Sequence, residues 1–354
     1  MKKVLVMLVI LFGAYNVIFL GTLQNYESGL NSAQQQANRI FDILHTQGAK
    51  AAIEEIPQVQ NIQGPVRPKL WSFKALFDSL SGEQTFYPEI SNQLKVIIAV
   101  HKNDLEGYDL TWIDLSGAKL NEANLKEANL SDTNLQDTVL ERANLAGVSF
   151  IGSKLIGTDF SRADLSGANF TRATIKNARF TQAILDDAVF EKVDVNHMDF
   201  SGLNFERVNF KKSNLEETDF SRSNLQQSDL SQADLRKAVF FVADLSRSRL
   251  VEVDLEESDL RGATLSGADL SQANLRNANL SGADFTGSDL SGVDLSGADL
   301  SGTTLTAAKI EKVKNLSCEQ IESAVFDRRT TQFPDYIDIA WTTEEAYTCK
   351  NAQV

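Results

Sequence analysis

From Ser266 to Leu280 the chain reads SGADLSQANLRNANL. Its apolar residues, Ala268, Leu270, Ala273, Leu275, Ala278 and Leu280, are separated by two steps, then three, then two again. A β-strand repeats its faces every two residues and an α-helix every 3.6, so a strict period of five fits neither. Counted outward, the frame runs unbroken from Leu105 to Ile310, with Leu, Phe, Ile or Val at every fifth position over 42 units. Two residues before most of them sits a small one, as at Ala118, Ala123, Ala128, Thr133, Thr138 and Ala143, and again at Ala298, Thr303 and Ala308. The residue just before the large one is mostly Asp or Asn, as at Asn124, Asn129, Asp164, Asp269 and Asn274. Self-similarity on this scale marks a repeat array, in which each unit buries its apolar side chains only by stacking on its neighbours.

This pattern closely resembles the pentapeptide repeat family, whose motif is commonly written A(D/N)LXX. The resemblance implies an all-β fold: a right-handed quadrilateral parallel β-helix, one pentapeptide to a side and four to a coil. The large residue and the small one two before it point inward, and the other three point outward. A square coil turns a corner every five residues, so its narrow interior has no room for two large side chains on every side. With coils stacked at the spacing of a parallel ladder, about 4.8 Å, ten coils make a rod about 50 Å long. Phenylalanine placement supports four units per coil independently. Phe150, Phe170, Phe190 and Phe210 are spaced by twenty, as are Phe160, Phe180, Phe200, Phe220 and Phe240, and the two sets are offset by ten. Each set should stack on one face, opposite the other, as core and not as a cofactor site.

Outside the array, the sequence divides into residues 1–22, 23–104 and 311–354. The first opens MKKVLVMLVILFGAYNVIFLGTLQ, with Lys2 and Lys3 ahead of an apolar run from Val4 to about Leu20. That run is short for a bilayer span and long for a signal-peptide core, and no A-x-A site follows it, which favours an uncleaved membrane anchor over a cleaved signal. Either reading exports the rest of the chain. Residues 23–104 read as helical, with helices expected at about Glu27 to Ile56 (stopped by Pro57), at about Leu70 to Leu80, and from Pro88 through Leu94, Ile97 and Ile98 as a cap on the first coil. Tyr108 and Ile113 stand where Ala usually does, so a bulky cap should meet them. After Ile310 the frame stops. Ser317 and Gln320 form a capping box, with Leu316 and Ile321 at the staple positions, so residues 311–354 read as a helical cap. This tail resembles the short segment after many bacterial, notably cyanobacterial, pentapeptide arrays. Cys318 and Cys349 both lie in it, and in an exported protein a disulfide between them is expected.

No enzyme signature is present. The three histidines, His45, His101 and His197, lie far apart, and no nucleophile-elbow, P-loop, dinucleotide-binding or zinc-protease motif occurs. The aspartates follow the repeat, and side chains such as Asp164, Asp269 and Asp299 should bond backbone at the corners. No catalytic residue, cofactor or metal is expected. An enzymatic reading would need a hidden fold in the segment between anchor and array.

The net charge is −14, of which about −12 falls within Leu105–Ile310. Such a surface does not bind nucleic-acid backbones. The outward positions carry some apolar residues: Ile151, Ile156, Ile184, Val189, Val251, and a group of Val239, Phe241 and Val242 within one coil. That group is a candidate contact patch for a partner protein or a second copy of the chain. Two functions follow. One is a membrane-tethered or exported acidic rod that acts as a protein-binding scaffold in the periplasm or an equivalent lumen. The other is implied by the resemblance: some members are dimeric DNA mimics that bind DNA gyrase and protect it from quinolones. The leader, the tail, and the interruption of the negative surface by Arg172, Lys176 and Arg179 argue against the second.

Overall fold

In the computed structural model, backbone is described for residues 2–47, 49–60, 63–65, 84–86, 88–327, 329–341 and 347–351, and most side chains from 19 onward within these. Helix α1 spans Lys2–Gln47 and α2 spans Ala49–Gln60. A short antiparallel pair follows, β1 (Gln63–Pro65) with β2 (Gln84–Phe86), and then α3, Pro88–Val100. Among the described residues no helix is long and apolar enough to cross a membrane. Most of the run Val4–Leu20, on which the anchor expectation rests, falls outside the residues whose side chains are described, and the helix expected at Leu70 to Leu80 lies wholly outside them.

Pro57 does not stop a helix. It sits inside α2, which starts at Ala49 and continues through it to Gln60. The buried stripe of α1 is Tyr26, Ala33, Ala37 and Ile40, which meets Ala52, Ile53 and Ile56 of α2 and Leu94, Ile97 and Ile98 of α3 in one continuous core with the array. Pro88 opens α3, where its missing N–H leaves nothing unpaired. Lys95 Nζ pairs with Asp114 at 3.0 Å and donates to both the carbonyl and the hydroxyl of Ser116, which fixes α3 to the first coil. Tyr108 is half-buried, and burial together with the Glu54 carboxylate pushes its hydroxyl above the usual range. Tyr108 packs against the core cluster that includes the buried residues of α1, α2 and α3, as the expected bulky cap requires.

From Asp109 onward, one residue per pentapeptide makes a parallel bridge with the residue twenty further on: Asp109 with Asn129, Asp114 with Asn134, and so on to Asp294 with Lys314. Twenty residues are therefore one coil and five are one side. The ladder consists of single bridges, because each side is too short to hold an extended strand. Every large residue from Leu105 to Ile310 is buried. Where the small position holds Ser or Thr, its hydroxyl is satisfied inside the core, as in Thr133 donating to the Leu110 carbonyl at 2.9 Å and Ser228 to that of Leu225 at 2.7 Å. The residue two past each large one turns the corner at positive φ, for example Arg222 at 58° and Gly297 at 69°. The outward aspartates steady these corners: Asp164, Asp269 and Asp299 accept the amides of Ser166, Ser271 and Ser301 at 3.0, 3.1 and 3.0 Å. Hydrogen bonds from Ser301 and Ser281 hold the Asp299 carboxyl below its ordinary pKa.

The tail is more than a helical cap. Helix α4, Cys318–Ser323, starts on the Ser317–Gln320 capping box, with Leu316 and Ile321 buried beside it. Gln320 Nε2 donates to the carbonyls of Leu295 and Ala298 at 2.8 and 2.9 Å, closing the end of the last coil. The ladder itself outlasts the five-residue frame, since Thr304 bridges Val325 and Lys309 bridges Gln332. An antiparallel hairpin of β3 (Ile337–Trp341) and β4 (Tyr347–Asn351) follows, and Tyr347 packs its ring 5.2 Å from that of Phe326. Cys318 in α4 is bonded to Cys349 in β4, with a Cα–Cα distance of 5.5 Å.

Candidate functional site

The interior of a closed coil is filled, so what the rod can do lies on its sides. Two places there depart from the repeat.

The first is the corner at Val239, Phe241 and Val242. Val239 lies on a side, half-buried, and bridges Asp219 and Asp259. Phe241 and Val242 occupy the next turn, 36% and 50% exposed. Val242 has φ +57° and is the one β-branched residue among the positive-φ corners of the described chain. A branched Cβ in that region is strained, and the other corners hold Gly, Asn, Asp or unbranched side chains almost throughout. The Arg261 guanidinium lies 5.5 Å from the centre of the Phe241 ring and is held there by Asp259, 2.6 Å away. That bond is the main reason the Asp259 carboxyl stays below its ordinary range.

The second place was not anticipated from the sequence. In the coil 191–210 all four small positions are bulky: Val193, Met198, Leu203 and Val208. Its large positions are Val195, Phe200, Phe205 and Phe210. Overpacking on this scale forces backbone apart, and the ladder opens between this coil and the one below it. Arg179 to Asp199 is the only bridge missing from the series between Asp109 and Asp294. One coil lower, Phe160 and Arg162 donate to the carbonyls of Arg179 and Thr181 at 2.8 and 2.9 Å. One coil higher, Phe200 and Gly202 donate to Asp219 and Ser221, both at 2.8 Å. Among the described residues the equivalent bonds from Ile175, Asn177, Phe180, Gln182 and Leu185 to Asp194, Asn196, Asp199, Ser201 and Asn204 are not made, nor are those from Asp194, Asp199 and Asn204 to Ala173, Ala178 and Ala183.

The result is a cleft of about 510 Å³ between Asn177–Gln182 and His197–Leu203. Ala178, Met198 and Leu203, at 7–9% exposure, form its apolar floor, whereas Ala163 and Ala168 in the coil below are at 0%. The phenylalanine column records the same opening. Phe160 stacks on Phe180 at 5.1 Å and 17°, but Phe200 stands at 69° to Phe180, before stacking resumes between Phe220 and Phe240 at 7°. The column of Phe150, Phe170, Phe190 and Phe210 stays stacked throughout, at 4.5–5.1 Å. The opening is thus centred on the face of Phe180 and Phe200, reaches the two adjoining sides, and leaves the opposite face closed. On the rim, Arg179 Nη2 lies 2.6 Å from Asp159. Partial burial pushes the Asp159 carboxyl up, but the bonds from Arg179 and Ser161 outweigh it and hold the group low. His197 Nδ1 lies 3.0 Å from Glu217.

The repeat geometry matches known sequences as well as physical reasoning. A family model described as a pentapeptide repeat region matches residues 108–180, 146–220 and 183–260, and one described as pentapeptide repeats, in eight copies, matches 268–306.

The chain belongs to the pentapeptide repeat family.

Solved structures of the family are similar to it. HetL, involved in heterocyst differentiation regulation in the cyanobacterium Nostoc sp. strain PCC 7120, is 29% identical, with 61% of this chain and 95% of that one covered and a TM-score of 0.35. Full-length QnrB1, a plasmid-mediated fluoroquinolone resistance protein, is 18% identical over 64% and 94%, with a TM-score of 0.30. A pentapeptide repeat protein of the Arabidopsis thaliana thylakoid lumen is 25% identical over 38% and 73%, with a TM-score of 0.13. No curated protein matches the chain. Among the described residues no group of three or more His, Cys, Asp or Glu side chains is placed to hold a metal ion.

Proposed function

We propose that this pentapeptide repeat protein is a non-enzymatic, exported acidic rod that holds a partner protein against its sides, with Val239, Phe241 and Val242 in the contact. The observation that carries this reading is Val242. A β-branched residue at φ +57° costs stability, and half of its surface faces solvent, so the core gains little from it. Apolar surface kept at such a cost is explained by what it meets. Export is supported by Lys2 and Lys3 ahead of the apolar run Val4–Leu20, and by the Cys318–Cys349 bond, since disulfides persist in oxidising compartments.

The test uses the full chain with a C-terminal tag in a Gram-negative host, with only the outer membrane opened. A membrane-impermeant thiol reagent should label the cysteines after reduction and not before, while a cytoplasmic control stays unlabelled. A photo-crosslinking residue at position 242 should give a discrete protein adduct, or a dimer of the chain, that the same residue at position 232 on another corner does not. Labelling that appears only after the inner membrane is broken would contradict export, and a DNA gyrase supercoiling assay would then decide for the gyrase-binding alternative.

A further inference from the structure

The geometry points to the cleft between Asn177–Gln182 and His197–Leu203 as a peptide-binding site that takes one extended, acidic segment of a partner protein as an added strand. This inference rests on the protein-binding reading above and gives it a second, chemically defined site.

Backbone groups carry the argument. In a closed ladder every coil offers amides and carbonyls to the coils on either side, and both sets are taken. Here the lower lip presents the amides of Asn177, Phe180 and Gln182 and the carbonyl of Ala178, while the upper lip presents the carbonyls of Asn196, Asp199 and Ser201 and the amide of Asp199. Donors and acceptors thus face the cleft from both walls, in the alternation a parallel strand edge displays. Such an edge is a ready template for another strand. Bridge pairing persists at Thr174 with Asp194 and at Ile184 with Asn204 without close hydrogen bonds, and the bonds of Arg172 to Glu191 and Asp187 to Glu206 close the opening on either side, so its length is limited to about three sides of the coil. Its volume of about 510 Å³ lies in the range of ligand sites, roughly 300–1,000 Å³. The floor is apolar, so the inward side chain of an added strand would meet Ala178, Met198 and Leu203.

Charge selects the occupant. From Leu165 to Leu185, a full coil, there is no carboxylate, although the array carries about −12. That coil holds Arg172, Lys176 and Arg179. Of these Arg179 is paired with Asp159, and no ion pair engages Arg172 or Lys176 among the described residues. The carboxylate of the upper lip, Asp199, already accepts the Ser201 amide at 2.9 Å, and Asp194 one side away accepts from Asn214 at 3.0 Å. A strand with outward aspartates or glutamates that runs past Asn177 meets Lys176 next to the lower lip and Arg172 one corner beyond it, while a basic one meets repulsion there.

The test measures fluorescence anisotropy of a labelled peptide of alternating aspartate and valine, about seven residues long, against the full chain. Three controls accompany it: a lysine–valine peptide, an aspartate–valine peptide methylated on alternate backbone nitrogens, and the chain carrying Phe241→Ser and Val242→Ser. The account expects saturable binding of the acidic peptide, at least ten-fold weaker binding of both other peptides, and no change with the Phe241→Ser, Val242→Ser chain. The last control separates this site from the apolar corner, so either can fail without the other. Met198→Ala with Leu203→Ala relieves the crowding and should let the ladder close, with Tm held or raised and peptide binding lost. If that variant misfolds by circular dichroism, Arg172→Glu with Lys176→Glu, both on the solvent side, should cut binding at least ten-fold with Tm unchanged. Equal binding of acidic and basic peptides, full binding of the methylated peptide, or binding unaffected by either variant would overturn the proposal. So would a chain that dimerises through the cleft, seen as a sedimentation shift removed by Met198→Ala with Leu203→Ala.

Discussion

Val242 shows how the repeat treats single residues. The corner position two past each large residue demands positive φ, and the chain supplies Gly, Asn or unbranched side chains there almost throughout. A branched residue in this region costs roughly 1–2 kcal/mol. Gly262, stacked directly above, has room, since a Cβ built on it would come no nearer than 3.6 Å to the Val242 side chain. Val242→Gly should therefore raise the thermal midpoint, by an amount equivalent to about 1 kcal/mol after the extra chain entropy of glycine is set against the relief. A lower midpoint, measured by circular dichroism beside the parent chain, would show that Val242 earns its place by packing and not by contact with a partner. The small inward position follows the opposite rule. It accepts Ser and Thr as readily as Ala because a carbonyl lies within reach of each hydroxyl, as for Thr138 with Leu115 at 2.8 Å.

Among the elements, the coil 191–210 and the tail show where the sequence could be read and where it could not. The five-residue period was legible because apolar spacing is set directly by where the chain must turn, and the phenylalanines spaced by twenty reported the coil length as well. The cap helix from Pro88 and the Ser317 capping box were legible for the same reason, since each rests on local chemistry. The cleft was not read. Val193, Met198, Leu203 and Val208 each pass singly as a tolerable replacement for Ala, and only their presence together in one coil signals overpacking. Four large residues in a row at the small position were the available signal. Pro57 was misread as a stop because an interior proline costs a helix one hydrogen bond and a clash, a local penalty that the packing of α2 on α1 outweighs. The hairpin of β3 and β4 carries no periodic signature, and Cys318–Cys349 ties it to α4. With 31 residues of separation, loss of that bond frees roughly 3–4 kcal/mol of chain constraint. Reduction should make β4 a site of rapid proteolysis while the array between Leu105 and Ile310 stays resistant, as read by mass spectrometry of the fragments. Loss of the array at the same rate would mean that the tail holds the whole solenoid together.

The whole molecule is a one-dimensional stack in which each coil touches only its neighbours, so a local misfit opens locally and does not spread. The ladder keeps its bonds up to that of Arg172 with Glu191 and again from that of Asp187 with Glu206, and Phe160 stacks on Phe180 below the opening as Phe220 does on Phe240 above it. An acidic rod thereby acquires one built opening, lined on its lower side by a coil without carboxylates, and one strained apolar corner further along. The most direct measurement is amide hydrogen exchange on the intact chain, resolved by residue. The account predicts slow exchange along the ladder from Leu110 to Leu290, broken by fast exchange at Ile175, Asn177, Phe180, Gln182, Leu185, Asp194, Asp199 and Asn204, with protection restored there by Met198→Ala with Leu203→Ala. Uniformly slow exchange through those residues in the parent chain would contradict it, because the ladder would then be closed and the cleft would not exist.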